Sequence, residues 1–390
     1  MKTLELAKKY QEYVVKMRRE FHMNPEASMK EFNTSKRIKE ELEKIGVEYV
    51  SCGGTGVVAT IKGSKPGKTV ALRGDIDALA VIEENDKEYA SKVDGLMHAC
   101  GHDAHGAMLL GAVKVLNEIK DEINGTVKFF FQPGEEVGKG AAAMIADGAM
   151  NGVDGVFGIH VSSDMPTGTI NAEPGARLAS GDMFKIVITG KGGHGAHPEN
   201  TVDAVVVGAA LVMNIQTIVS REFSPLEPLV ITVGSIKSGT RFNVIAPNAV
   251  LEGTVRYFDP TYTEKVKSAI ERIAKLTAET YRASAELEYT VVVKPTINDE
   301  TCAKIAAEAA AKIVGKDNLL KLEPSTGGED FSEFSSVAPG VMTRLGTRNK
   351  EKKTDYPHHH NKFDVDEDGF VYGVAYYVQF AIDFLNNYKK

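Results

Sequence analysis

"DMFKIVITG", residues 182–190, decides how this chain is divided. Phe184, Ile186 and Ile188 fall on one face of an extended segment and Lys185 and Thr189 on the other, the alternation of a half-buried strand. Forward from it the spacing predicts a helix over 201–220, strands over 228–236 and 249–258, a helix over 262–281 and a strand over 285–293. Strand, helix, strand, strand, helix, strand is the order of the split βαβ, ferredoxin-like unit.

Outside that block the pattern is different. Residues 4–21 and 33–46 read as amphipathic helices, the second ending at Gly46. Residues 55–63, 68–75, 126–132 and 155–161 read as strands. Residues 105–119 are too apolar for a surface helix and are expected to be buried. After Asp299 a helix (300–315) and a strand (340–346) resume the alternation. Strands separated by helices argue for an α/β, largely parallel sheet with helices on both faces. The expectation is a discontinuous α/β domain, 1–180 and 294–390, interrupted by an inserted α+β domain, 181–293. A chain of 390 residues is long enough for two domains.

The formal net charge of −7 gives no support for a nucleic-acid partner. Three widely spaced cysteines do not make a disulfide framework, and a reducing cytoplasm suits them. The N-terminal stretch has no signal-peptide core, and no apolar run approaches the roughly 20 residues of a membrane span. These features predict a cytoplasmic protein with no membrane partner.

Polar clusters lie at the ends of the predicted strands: Asp75 and Asp77, Glu135 and Glu136, and His160. "LMHACGHDAHGAM", residues 96–108, places Cys100 and His102 in the loop expected to lead into the buried helix. In open parallel sheets ligands sit beyond the carboxyl ends of the strands, so this topology would bring the clusters to one edge. Thiolate, imidazole and carboxylate together suit a divalent transition metal. Of two adjacent carboxylates, one can bind the metal while the other takes a proton from water, whose pKa a metal lowers from 15.7 to about 7. Singly, each has a plainer reading: a solvated Glu pair, a core histidine, helix-capping aspartates.

"MRREFHMNPE", "LRGDIDALAV", "MHACGHDAHGAM", "FFFQPGEE", "GIHV", "GKGGHGAHPE", "FNVIAP", "LEGTVR", "GGEDFSEF" and "FDVDE" follow one another along nearly the whole chain. In that order they resemble the hippurate hydrolase, aminoacylase and auxin-conjugate amidohydrolase family, a branch of the dinuclear-metal aminoacylase–carboxypeptidase superfamily. The resemblance implies two divalent metal ions per subunit, with zinc favoured and manganese, cobalt or nickel also fitting. It implies Cys100, His102, Glu136, His160 and His359 as ligands, the last with His358 and His360 as neighbours that compete for the assignment. It implies Glu135 as general base and Asp77 as the aspartate behind a ligand. His194 matches a lid histidine that polarises the scissile carbonyl, often from the partner subunit, and Asn243 and Arg256 match lid positions near the substrate. The family usually carries proline where Ala80 and Asn361 stand, and "PAEE" where this chain has "PGEE".

The implied reaction is hydrolysis of a small-molecule N-acyl amino acid, in a homodimer or higher oligomer formed through the inserted domain. A dipeptidase or an N-acyl-diaminopimelate deacylase would use the same machinery. A non-catalytic metal- or peptide-binding protein would not need Glu135, and a hydrolase with Cys100 as nucleophile would leave Glu136 and His160 without roles.

Overall fold

The computed structural model describes residues 2–389. It forms two compact units, one of residues 2–177, 296–323 and 330–389, the other of 178–295 with a short excursion, 324–329.

The first unit opens with helices α1 (Lys2–Lys8), α2 (Gln11–Met23) and α3 (Phe32–Ile45). The single helix expected over 4–21 is two, because the amides of Lys9 and Tyr10 turn back to Leu6 and Ala7, three residues behind, and a new helix starts. Strands β1 (Glu48–Cys52), β2 (Gly56–Lys62) and β3 (Lys65–Asp75) follow, then α4 (His102–Glu118), β4 (Asn124–Gln132), α5 (Gly140–Ala146), β5 (Gly155–Pro166), β6 (Ile170–Asn171) and β7 (Gly175–Leu178).

The second unit holds β8 (Gly181–Thr189), β9 (Gly193–His194), α6 (Ala204–Arg221), β10 (Leu229–Ser238), β11 (Val244–Ile245), β12 (Asn248–Tyr257), α7 (Tyr262–Thr280) and β13 (Ser284–Val293). The chain closes with β14 (Thr296–Asn298), α8 (Glu300–Val314), α9 (Phe331–Ser335), β15 (Gly340–Arg348) and α10 (Phe370–Asn387).

The large sheet runs β1-β2-β4-β3-β5-β15-β6. Its centre, β4, β3, β5 and β15, is parallel, and the flanking pairings of β1, β2 and β6 are antiparallel. The strands alternate their side chains between two cores. Phe157, Ile159 and Val161 of β5 and Val341 and Leu345 of β15 enter the larger core with α4, α8 and α10. Val156 and Met342 enter a smaller one with residues of α5 and α9. Helix α4 is buried on nearly every side, as its apolar sequence requires.

In the second unit a four-stranded antiparallel sheet has the order β10-β12-β8-β13, the ferredoxin-like arrangement. Asp203 caps α6 by accepting the amide of Val205. Among the described residues α6 alone is long and apolar enough to cross a membrane by length and composition. Its Ala204, Val207, Leu211, Ile215 and Ile218 recur at helical spacing and are buried in this unit's own core.

Candidate metal centre

Because β3, β4, β5 and β15 run parallel, their carboxyl ends open on one edge. Asp75 ends β3, Gln132 ends β4 four residues before Glu136, and His160 lies on β5. Cys100 and His102 arrive there on a tight turn. Gly101 between them has φ +90°, and a Cβ on it would lie 2.4 Å from Cγ2 of Val161, so glycine is required by both conformation and space. His102 is the first residue of α4 rather than part of a preceding loop, since that left-handed glycine starts the helix immediately.

Backbone and carboxylate partners fix which nitrogen each histidine offers. Nδ1 of His160 donates to the carbonyl of Val161 at 2.7 Å, leaving Nε2 to face Sγ of Cys100 at 3.6 Å. Nδ1 of His102 pairs with Oδ1 of Asp77 at 3.0 Å. Its Nε2 lies 3.8 Å from Oε1 of Glu136 and 3.9 Å from Oε2 of Glu135. The other oxygen of Asp77 accepts from Ser28 Oγ at 2.7 Å and from the amide of Glu136 at 3.1 Å, so one carboxylate aligns both the imidazole and the Glu135–Glu136 turn.

Three neighbouring histidines lie in the 358–360 segment and are separated by the structure. His359 brings Nε2 within 3.5 Å of Oε1 of Glu136. It adopts φ +66°, uncommon for a non-glycine residue, and its amide donates to the carbonyl of Ala99 at 2.8 Å, tying this loop to the Cys100 turn. His358 turns its Nδ1 to the Cys100 sulfur at 3.8 Å. His360 faces away, stacked on Tyr356 with ring centroids 4.8 Å apart.

Potential ligand atoms of Cys100, His102 and His160, of Cys100, Glu136 and His359, and of His102, Glu135 and Glu136 all lie within 4.8 Å of one another in their groups. Among the described residues Nε2 of His102 and Oε1 of Glu136 are buried without a hydrogen-bond partner. Two orphaned buried atoms facing each other, and a thiol common to two of the groups, fit a pair of divalent cations. Burial pushes the Cys100 thiol up and holds the His160 imidazole well below its ordinary value. A neutral imidazole is ready to ligate, and a coordinated cation deprotonates a thiol outright.

Two buried networks support these groups. Asp75 faces the guanidinium of Arg73 at 2.7 Å and pairs with Nδ1 of His105, whose Nε2 accepts the amide of Val161 at 2.9 Å. Arg18, fully buried, joins Asp103 and Asp364, each at 2.8 Å, and His22 joins Asp103 at 2.7 Å. This ties α2 to the start of α4 and to the chain following His359. The sequence carried its signal: Arg18 and His22 stand four apart, on one face of a helix.

His194, Asn243 and Arg256 belong to the second unit. His194 on β9 pairs in register with Val244 of β11, and the amide of Gly195 donates to the carbonyl of Asn243 at 3.0 Å, so His194 and Asn243 share one ribbon. Nδ1 of the exposed His194 accepts the amide of Ala196 at 3.1 Å, so the neutral ring carries its proton on Nε2, free to donate. Arg256 on β12 donates to the carbonyl of Ser180 at 3.2 Å.

The sequence profile of the peptidase family M20/M25/M40 matches residues 71–383. The chain is 43% identical to thermostable carboxypeptidase 2 of Saccharolobus solfataricus, over 97% of each chain. It is 38% identical to the N-acetylcysteine deacetylase of Bacillus subtilis, over 96% of this chain and 98% of the relative. The crystal structure of the Bacillus subtilis YXEP protein, described as a dinuclear metal binding peptidase from the M20 family, superposes with a TM-score of 0.86 at 34% identity, covering 98% of this chain and 100% of that one.

Proposed function

This chain belongs to the peptidase family M20/M25/M40 and is a metal-dependent hydrolase, and from that premise we propose that it cleaves N-acyl amino acids of the hippurate kind to a carboxylic acid and a free amino acid. Cys100, His102, Glu136, His160 and His359 would hold two divalent ions, with the thiolate favouring zinc. When bound, such ions polarise a carbonyl and make water acidic enough to attack it near neutral pH.

The protein's own groups do the rest. Glu135 takes the proton of the attacking water and passes it to the departing amine. Asp77 holds His102 in the tautomer that presents Nε2 to the centre. His194, through its Nε2 proton, is the donor for the oxygen on which negative charge grows, a large contribution in acyl transfer. We assign that histidine to the site of a partner subunit in a homodimer, with Asn243 and Arg256 near the substrate. Val206 (48% exposed) and Met213 (69% exposed) of α6 give the second unit an apolar face suited to a second copy.

One observation carries the reading: the side-by-side Glu135 and Glu136 both approach the single open nitrogen of His102, so one carboxylate can ligate while the other remains a base. Likeness to a carboxypeptidase supports a second reading, in which the amide cleaved is the last one of a short peptide. Release of free amine from a panel of N-acyl amino acids and dipeptides, with zinc, manganese, cobalt or nickel restored to metal-free protein, tests both. The first reading requires faster turnover of acyl substrates; no release from any of them refutes it.

A further inference from the structure

Glu31 is a fully buried carboxylate with no part in the machinery described above. It stands immediately before α3, where a carboxylate ordinarily accepts the first amides of the helix. Here Glu26 does this: its two oxygens accept the amides of Asn33 at 3.1 Å and Thr34 at 2.8 Å. Glu31 makes no side-chain cap and turns inward instead. Its Oε1 accepts the amides of Met29 at 2.7 Å and of Gly134 at 2.9 Å, and its Oε2 accepts the hydroxyl of Thr55. Among the described residues it has no ion-pair partner, so these dipoles alone offset the cost of a carboxylate in the interior.

Gly134 is the residue before Glu135. The residue after it, Glu136, has its amide held at 3.1 Å by Asp77, and Asp77 accepts Ser28 Oγ at 2.7 Å. The two amides that flank Glu135 are thus both anchored on buried carboxylates, and both anchors lead back to the segment 28–31. The carbonyls are fixed from the other side: that of Glu135 accepts the amide of Gly138 at 2.8 Å, and that of Gly134 accepts the amide of Gly140 at 3.2 Å. The two segments meet closely. Gly134 has φ +58°, and a Cβ on it would lie 2.4 Å from Sδ of Met29, itself at φ +62°. An alanine here, as in the usual "PAEE", would collide with that sulfur, so Met29 and Gly134 fit as a pair.

We propose that Glu31 is a positioning residue for the base: by holding the amide of Gly134 it sets where the carboxylate of Glu135 stands. The inference rests on the functional reading above, in which Glu135 carries the proton. A base must meet its proton within hydrogen-bond reach, and a displacement of about 1 Å is enough to lose on the order of 100-fold in rate. Glu135 lies between β4 and α5, so neither a strand ladder nor a helix holds its backbone. The carboxylates of Glu31 and Asp77 supply that support. Glu136 keeps its own anchor at Asp77 when Glu31 is lost. Removing Glu31 therefore acts on the proton step rather than on metal content or substrate binding.

The experiment measures kcat and KM of metal-loaded protein for the member of the substrate panel that wild type cleaves fastest. Metal content and the hydrogen exchange of metal-free protein are measured beside them. Glu31→Met keeps the bulk but leaves the Gly134 amide without an acceptor. It is expected to lower kcat on the order of 10- to 100-fold, with KM and metal content little changed, and to speed exchange in the peptide spanning 133–138. Glu31→Gln keeps an oxygen for the two amides and can donate to Thr55, and it recovers most of the lost kcat. Glu26→Ala uncaps α3 without touching Gly134; it lowers the melting temperature but not kcat where all variants are folded. If Glu26→Ala reproduces the kcat loss, Glu31 only stabilises the fold locally and the inference is wrong. Unchanged kcat or unchanged exchange in Glu31→Met, or a loss that falls on KM or metal content instead, also overturns it. If Glu31→Met does not fold, Glu31→Asp takes its place: it keeps the charge but draws both oxygens back by one methylene, and must show the same kcat loss. Wild type that cleaves nothing in the panel, or a fully active Glu135→Gln variant, sinks the functional reading and this inference together. An inactive Glu135→Gln variant beside an indifferent Glu31→Met sinks the inference alone.

Discussion

Nδ1 of His102 is held by Oδ1 of Asp77 at 3.0 Å, and the opposite nitrogen, buried without a hydrogen-bond partner, faces the carboxylates of Glu135 and Glu136. The aspartate therefore decides which face of the imidazole is open. Asp77→Asn offers an amide that can be turned to donate to Nδ1, freeing the ring to place its proton on Nε2. We expect weakened metal binding, on the order of 10- to 100-fold, as when groups behind metal ligands are lost. Metal titration of the purified variant reads this, and wild-type affinity would refute it.

Chelation is expected to abolish turnover, and adding back a divalent cation to restore it. Cys100→Ser should lower metal content, because the thiol is common to two of the ligand groups. Elemental analysis before and after dialysis against chelator is the measurement. Full activity in metal-free protein excludes the mechanism.

The two adjacent glutamates are expected to fail differently. Glu135→Gln keeps shape and metal but loses the proton carrier, and turnover should fall at least 10²-fold, the lower range for general acid–base groups. Glu136→Gln should lose metal as well. Metal content measured beside kcat separates them, and a reversed result exchanges their roles.

His194 is expected to act across subunits. Glu135→Gln and His194→Ala homodimers should each be inactive. Co-expressed, they form mixed dimers in which one site has both an intact base and an intact donor, and activity returns. If co-expression leaves the sample as inactive as its parents, the histidine does not act in trans.

Acid should erode a contact between α2 and α3. Burial raises the pKa of Glu41, but hydrogen bonds from Lys44, Arg37 and Tyr13 outweigh it and hold the carboxyl down to about 2, against an ordinary 4.5. A depressed carboxylate stabilises the fold fully above its unfolded pKa and loses that contribution as pH falls through its folded one. The stability gap between wild type and Glu41→Gln is therefore expected to be widest above pH 4.5 and to close toward pH 2. Urea unfolding across that interval checks the sign; a gap that widens in acid contradicts it.

Periodicity alone separated the two architectures, because strands facing one core alternate with period two and core helices repeat every three to four residues. The run from 182 to 293 announced its strand and helix order in this way, and the buried α4 announced itself by having no polar face. The order of motifs pointed to Cys100, His102, Glu135, Glu136 and His160, since chemistry-bearing residues at the ends of parallel strands share an edge. The sequence could not choose among His358, His359 and His360. Three adjacent imidazoles are chemically identical, and only the left-handed backbone at His359 and its bond to Ala99 turn them to Cys100, to Glu136 and to Tyr356 respectively. Nor could it foresee that Arg18 would meet Asp103 and Asp364, or Arg73 meet Asp75 and Asp330. Pairing of that kind is settled by which strands and helices become neighbours across hundreds of residues, as when β15 comes to lie in register beside β5.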